Sequence, residues 1–216
     1  MSFRVFSSHF HGGLIRSHQL SLIDAGTLRV EFGPAGVELQ QEDGAPALPA
    51  AVSGPNSKAL QEADVNHIQR VDIVVYASTP LLEVLHRFTL ASYTNMRSLS
   101  VEVVYDTNDS SHIVDVWRNI LPVLRSIHDT AQLEHLTLTS PVPLATLRSG
   151  WSGSTTVAGL QQPLYSIDHA LVRLVDRAPL EHVIVVPPQG ETFLSTDWAR
   201  ARSFFPALFD YDMLRY

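Results

Sequence analysis

The sequence predicts an irregular α/β repeat domain, in which short strands alternate with helices and form a mainly parallel sheet. One observation behind this prediction is a near-copy: Leu-Glu-His-Leu-Thr-Leu at residues 133–138 returns as Leu-Glu-His-Val-Ile-Val at 180–185. Both segments place apolar residues at positions one, four and six. A second observation is that a helix-like stretch precedes each copy, which is the pattern of stacked β-α units.

Three further segments fit the same strand frame. They are Ile68/Val71/Ile73, Met96/Leu99/Val101 and Tyr211/Leu214/Tyr216. Strands that are joined through helices favour right-handed crossovers and a parallel sheet. We therefore expect parallel neighbours in chain order near 68–75, 98–105, 133–139, 181–186 and 212–216.

Residues 1–40 are predicted to form a β-rich N-terminal segment that precedes the repeats. Leu28, Val30 and Phe32 alternate with polar residues, and the Gly-Pro-Ala-Gly sequence at 33–36 can turn the chain back. This pattern predicts a β-hairpin.

The remainder of the chain divides into two further segments. Residues 41–66 are rich in Ala, Pro, Gly and Ser and contain few large apolar residues, which predicts a linker or a mobile loop. The α/β repeat domain then covers 67–216.

Apolar stripes at helical spacing predict two helices in the first half of the repeat domain. The first begins near Thr79, with Pro80 at a position where its missing N–H costs nothing. The second follows Ser111 and has a stripe that includes Trp117. Pro122 lies inside this stripe and is expected to kink or divide the helix.

Two more helices are predicted in the second half of the domain. The third is expected to start near Ser166 as its capping residue, after a Gly/Ser/Thr-rich insertion at 141–163. The fourth follows Thr196, and Pro206 is expected to break it.

Composition excludes several classes of function. The chain has 216 residues, with 15 basic and 22 acidic residues and a net charge of −7, which disfavours nucleic acids and anionic membranes as partners. The absence of cysteine excludes disulfides, thiolate nucleophiles and Cys-ligated zinc. No signal peptide or membrane-spanning run is evident, so a cytoplasmic or nuclear location is expected.

The Leu-x-x-Leu-x-Leu strands, each after an amphipathic helix, resemble leucine-rich repeats, although the usual Asn after the third Leu is absent. The uneven spacing and the ending Ala201-Arg-Ser-Phe-Phe-Pro…Tyr211-Asp-Met-Leu-Arg-Tyr are similar to the C-terminal region of F-box/leucine-rich-repeat-like proteins of mushroom-forming fungi. The resemblance covers roughly 67–216. It implies a module that selects protein substrates for a ubiquitin ligase, but residues 1–40 contain no F-box-like segment.

The outward positions of the strand frame supply the candidate site. If positions one, four and six point inward, positions three and five point outward. The candidate protein-binding residues are Arg70, Asp72, Glu102, His135, Thr137, His182 and Ile184. His135 and His182 are expected to be neighbours on one face, either as a shared binding or acid–base site or as a tolerated repeat position.

Ile184 and Val186 make part of the outward surface apolar. Such a patch on a polar sheet face marks a partner site, or it is covered by the 141–163 insertion or by the N-terminal hairpin.

Catalytic and metal-binding patterns are weak in this chain. Ser166, Asp168 and His169 lie on one predicted helical turn and cannot form a serine–histidine–aspartate relay. His9, His11 and His18 could gather around zinc, but no carboxylate frame supports them. We therefore expect no cofactor, no metal and no catalytic residue.

The sequence favours a non-catalytic module for a protein partner that it does not identify. The alternatives are an enzyme on a compact α/β sandwich, with ligands beyond the C-terminal strand ends, and a degenerate structural protein.

Overall fold

The structure is a computed structural model that describes residues 20–21, 26–33, 36–38, 68–77, 85, 88–105, 112–129, 131–149, 155–188 and 191–216. Within these residues eight strands form one sheet. They are β1 (Leu20–Ser21), β2 (Thr27–Gly33), β3 (Gly36–Glu38), β4 (Arg70–Tyr76), β5 (Ser98–Val104), β6 (His135–Thr139), β7 (His182–Val186) and β8 (Leu214–Arg215). The helices are α1 (Ile113–Arg125), α2 (Leu144–Ser149), α3 (Thr155–Val175), α4 (Ser195–Ala201), a 3₁₀ turn (Arg202–Phe204) and α5 (Pro206–Asp210).

Six of the strands are parallel and lie side by side in chain order, as β2-β4-β5-β6-β7-β8. The prediction of parallel neighbouring strands is therefore confirmed. The sequence frame identified five of these strands, and β2 is the sixth. Strands β1 and β3 pair with β2 in the antiparallel sense, at the edge away from β4.

One backbone hydrogen-bond pattern recurs where consecutive strands begin. The carbonyl oxygen of a residue just before one strand accepts bonds from two successive N–H groups at the start of the next strand, over distances of 2.7–3.0 Å. Because the pattern repeats from strand to strand, the strands keep a common register at their N-terminal ends. The acceptors are Gly26, Gln69 and Arg97, and the donor pairs are Gln69/Arg70, Arg97/Ser98 and Glu134/His135.

The hydrophobic core lies on one face of the sheet. In β5, Leu99, Val101 and Val103 are buried and belong to the same apolar cluster as the fully buried Trp117 of α1. A sheet whose parallel neighbours follow chain order through right-handed crossovers carries its connecting helices on a single face. Inward positions predicted from the sequence are confirmed at Leu136, Leu138, Val183 and Val185, which are all fully buried.

The helices pack against one another as well as against the sheet. The indole Nε1 of Trp117 donates to the Pro141 carbonyl oxygen at 3.0 Å, which ties α1 to the chain leaving β6. Helix α1 also packs against α3, where a Cβ at Gly159 would come within 3.1 Å of Cγ2 of Val114. Glycine thus permits the close approach of the two helices.

Two helices differ from the predictions that were based on their proline and glycine residues. Helix α1 runs through Pro122, so the proline does not divide it, and the N–H of Ser126 bonds to the Pro122 carbonyl in the next turn. Helix α3 begins at Thr155 instead of near Ser166 and contains Pro163. The described part of the 141–163 insertion is therefore largely helical, and its Leu144, Leu147 and Leu160 are buried in the core.

The remaining predictions divide into two groups. Pro206 does separate the fourth predicted helix into parts, because α5 starts at this residue after the non-helical Phe205. The predicted helix start at Thr79, the 41–66 linker and the three N-terminal histidines lie outside the described residues.

Candidate protein-binding face

The candidate site is the face of the sheet that points away from the helices, which we name the open face. Successive side chains of a strand point to opposite faces, so every second residue belongs to it. Ser98, Ser100 and Glu102 of β5 alternate with core residues and keep part of their surface exposed. By the strand register, the open face consists of Thr27, Arg29, Glu31, Arg70, Asp72, Val74, Tyr76, Ser98, Ser100, Glu102, Val104, His135, Thr137, Thr139, His182, Ile184, Val186 and Arg215.

The middle row of the open face crosses six strands and begins with Arg29 of β2, the register partner of Asp72. Asp72 of β4 pairs in register with Ser100 of β5, which pairs with Thr137 of β6. Thr137 pairs with Ile184 of β7, and Ile184 pairs with Arg215 of β8. Neighbouring strands lie about 4.8 Å apart, so roughly 14 Å separates Asp72 from Ile184. The fold therefore brings Thr137 and Ile184 together and leaves Asp72 at a distance.

A second row, at the N-terminal ends of the strands, brings two histidines together. His135 of β6 and His182 of β7 are register partners, with ring centres 5.9 Å apart and ring planes inclined by 48°. His135 is exposed and His182 is half-buried. Arg70 lies in the same row, but Ser98 of β5 stands between it and His135.

Two arginine–carboxylate pairs occupy the β2 and β4 side of the open face. Nε of Arg29 lies 2.7 Å from Oε1 of Glu31, and Nε of Arg70 lies 3.0 Å from Oδ1 of Asp72. Each pair joins residues two apart on one strand, which therefore share a face. Arg29 and Glu31 were not among the predicted site residues, because residues 1–40 were interpreted as a separate segment. The alternation around Leu28 already placed them opposite the core.

Glu102 occupies a third row and differs from the other acidic residues of the open face. Its carboxylate is half-buried and has no hydrogen bond or ion pair within the part of the chain that the structure describes. Partial burial of an unpaired charge is costly. Glu102 is thus available to a cation or to an N–H donor of a bound partner.

An apolar patch on the open face is formed by Ile184 and Val186, which are half-buried. Leu144 and Leu160, in the described part of the 141–163 insertion, belong to the core cluster on the opposite face. Strand β2, in the segment for which the sequence predicts a hairpin, lies four strands from β7. Among the described residues, neither of the two segments considered as covers lies over the patch.

Asp168 is fully buried on α3 and has a structural role. Its Oδ2 and Oδ1 accept hydrogen bonds from the backbone N–H groups of Ala207 and Leu208, at 2.8 and 3.0 Å. Burial raises the pKa of Asp168 above its ordinary value, and the two N–H donors oppose that shift. Asp168 therefore caps α5. Ser166, the expected helix cap, instead lies mid-helix and accepts a bond from Gln162.

A second buried carboxylate joins α2 to α4. Oδ2 of Asp197 accepts from Nε and Nη2 of Arg148, at 3.1 and 2.8 Å, and from the backbone N–H of Leu194 at 3.0 Å. The hydrogen-bonded guanidinium of Arg148, followed by the Leu194 N–H, lowers the pKa of Asp197. This ion pair lies in the helix layer and does not contribute to the open face.

Polar groups beyond the C-terminal strand ends are used within the fold. The hydroxyl of Tyr105 donates to the Ser140 carbonyl oxygen at 2.5 Å, and Oγ of Ser140 donates to the Val142 carbonyl at 2.9 Å. Burial raises the pKa of Tyr105, so its hydroxyl stays protonated. These contacts hold loops together and do not assemble a nucleophile with a base.

Aromatic side chains cluster at the β8 end of the helix layer. The rings of Trp198 and Tyr216 stack with centres 4.6 Å apart, and Phe193 lies 6.3 Å from Trp198. Tyr216 and Leu194 are largely exposed. The ring of Trp198 is half-buried, packs against the core cluster and is stacked by Tyr216.

The described residues were also searched for metal sites and membrane-spanning helices, and the chain was compared with known proteins. No group of three or more His, Cys, Asp or Glu side chains in the described ranges is arranged to hold a metal ion. Within those ranges, no helix is long and apolar enough to cross a membrane. Comparisons of the chain with protein families, with curated proteins and with solved structures gave no match.

Proposed function

We propose that the chain is a non-catalytic protein-interaction module that binds a protein partner through the open face. One observation carries this proposal: the core cluster lies on a single face of the sheet, and the opposite face keeps charged, polar and apolar side chains at least partly exposed. Asp72, Val74 and Thr139 are buried on that opposite face, so its exposed part is centred on β5, β6 and β7. Parallel sheets are ordinarily covered on both faces. The exposed and chemically mixed part of this face is therefore a candidate for occupation by another molecule.

We further propose that the parallel units are leucine-rich-repeat-like. Support comes from the chain-order sheet, from the strand frame and from the recurring paired hydrogen bonds at Gly26, Gln69 and Arg97. Stacked repeats of this kind present an extended surface to their partners. Through the resemblance to F-box-like proteins, the proposal includes a role as a substrate-recognition fragment.

The charges of the open face favour a protein over a nucleic acid as the partner. Arg29 and Arg70 are each paired with a carboxylate, so neither offers an uncompensated charge to a phosphate backbone. Ile184 and Val186 supply apolar area beside polar groups, which is the composition of protein interfaces.

The rival function, an enzyme on a compact α/β sandwich, gains no support from the described residues. Asp168 is engaged by backbone N–H groups. Tyr105 and Ser140, beyond the strand ends, bond to backbone carbonyls.

The proposal is tested by measuring how tightly a partner binds to two matched variants of the chain. A partner captured from cell extract is identified by mass spectrometry, purified, and its Kd is measured against each variant. Ile184→Asp places a charge in the apolar patch of the open face. Tyr165→Asp makes the same change at an exposed position on α3, where the side chain is 58% exposed.

We expect Ile184→Asp to weaken binding by about 30-fold or more, as for a residue at an interface hot spot. Tyr165→Asp should leave the Kd unchanged, and circular dichroism should show both variants folded. Equal affinity of the two variants for the partner would exclude the open face. Turnover of a small molecule that Ile184→Asp abolishes would instead favour the enzyme.

A further inference from the structure

His135 and His182 have the arrangement of a pair of metal ligands. They occupy directly paired positions on β6 and β7, and their ring centres are 5.9 Å apart. Apart from this contact between the rings, neither imidazole makes a hydrogen bond or ion pair within the described residues. Their ring nitrogens are therefore available as ligands.

The distance between the rings fits a shared ion. Zn–N bonds of about 2.0–2.1 Å in tetrahedral geometry place the centres of two bound imidazoles roughly 5 Å apart. The observed 5.9 Å exceeds this distance by less than the movement that small side-chain rotations provide. The two backbones need not move, because adjacent parallel strands already hold the Cα atoms in register.

The electrostatic surroundings also permit a cation. Nη1 of Arg97, just before β5, lies 3.4 Å from Oε1 of Glu134, so the positive charge of Arg97 is balanced by this carboxylate. Glu181, just before β7, is exposed and adds negative charge near the same end of the sheet. Arg215 of β8 is paired with Asp212 at 3.1 Å. Among the described residues, the neighbouring strand ends therefore present no unpaired arginine to repel a metal ion.

We propose that His135 and His182 form a two-imidazole site for a divalent transition metal on the open face. Imidazole ligands suit copper, nickel and zinc, and they are poor ligands for calcium and magnesium. Water completes the coordination, because two protein ligands leave positions open. This site stands independently of the proposed protein partner. The repeated Leu-Glu-His segment predicted that the two histidines are neighbours, and the register of β6 and β7 pairs them directly.

Ni²⁺ binding to the full chain, measured by isothermal titration calorimetry, tests the site. The variants are His135→Ala, His182→Ala and the control His169→Ala, which removes an exposed histidine from α3. We expect His135→Ala and His182→Ala each to raise the Kd for one equivalent of Ni²⁺ by more than about tenfold. Loss of even a residue that supports a metal ligand can weaken metal binding by this factor. The control should bind as the unmodified chain does.

Measurement of the unfolding temperature shows whether a variant loses Ni²⁺ binding only because it is misfolded. Ni²⁺ should raise the unfolding temperature of the unmodified chain, because it binds only the folded pair. This rise should be smaller in His135→Ala and in His182→Ala, while their metal-free unfolding temperatures stay close to that of the unmodified chain. The proposal is overturned if either variant keeps the full Ni²⁺ stoichiometry and affinity, or if Ca²⁺ binds to the pair as well as Ni²⁺ does.

Discussion

Replacing Leu136 with alanine should destabilise the protein strongly, whereas replacing its neighbour His135 should have almost no effect. Leu136 is fully buried between Leu99 of β5 and Val183 of β7. The substitution removes three carbon atoms from the core, which at about 0.8 kcal/mol each amounts to roughly 2.4 kcal/mol of lost burial. The cavity that the substitution leaves raises the expected loss in the free energy of unfolding to about 3–5 kcal/mol. His135 is exposed, so its alanine variant should stay within about 0.5 kcal/mol.

Urea unfolding at neutral pH measures this difference. A chain of this size should have an m-value near the upper end of about 1–3 kcal/mol/M, so Leu136→Ala should lower the midpoint by roughly 1 M or more. His135→Ala should shift it by less than about 0.3 M, with an unchanged m-value. A larger loss for His135→Ala than for Leu136→Ala would refute the assignment of the two faces.

Three further predictions concern the helix layer. Trp117→Phe removes the N–H that bonds to the Pro141 carbonyl and should cost about 1–3 kcal/mol in urea unfolding, because a buried acceptor loses its donor. Asp168→Ala leaves the N–H groups of Ala207 and Leu208 without their acceptor, so their hydrogen exchange should accelerate; unchanged protection would contradict the capping role. The pKa of Asp197 is lower in the folded state than its ordinary value, so this residue contributes stability above about pH 4 that is lost as pH falls through the folded pKa. The stability advantage of the unmodified chain over Asp197→Asn should therefore shrink between pH 5 and pH 3, and an advantage that grows on acidification would be inconsistent with it.

The sheet was predictable from the sequence because strand side chains alternate with a fixed period of two. The frame around Leu136 and Val183 therefore defined both the buried face and its opposite, including His135 and His182. Strand order followed from the alternation of strands with helices. The membership of β2 in the parallel sheet was missed, because its neighbour in the sheet, β4, follows only after a long segment that carries no strand pattern.

The helix boundaries were less predictable because they depend on packing. Gly159 and Pro163 suggest a loop by their local preferences, yet both lie inside α3. The glycine allows close contact with Val114, and Leu160 is fully buried. Tertiary contacts therefore outweigh the cost of both residues in the helix. Long-range contacts such as that of Asp168 with the start of α5 have no signal in the local sequence.

The sequence predicted which residues belong to the candidate face, but, apart from the two histidines, not which of them are neighbours across the strands. Alternation fixes which residues belong to each face, and all the predicted site residues lie on the open face, although Asp72 is buried there. Which of them meet depends on register across strands that are distant in the chain. The pairing of Thr137 with Ile184 therefore needed the structure.

Thiol labelling gives the most direct test of the claim that the open face binds a partner, because the chain contains no cysteine that would compete. Thr137→Cys introduces a reactive group at the centre of the open face, and Gln161→Cys introduces one on the exposed side of α3. Maleimide labelling rates are compared with and without saturating purified partner. The account predicts that the partner slows labelling at position 137 and leaves position 161 unchanged. Protection at 161 with unchanged labelling at 137 would contradict it.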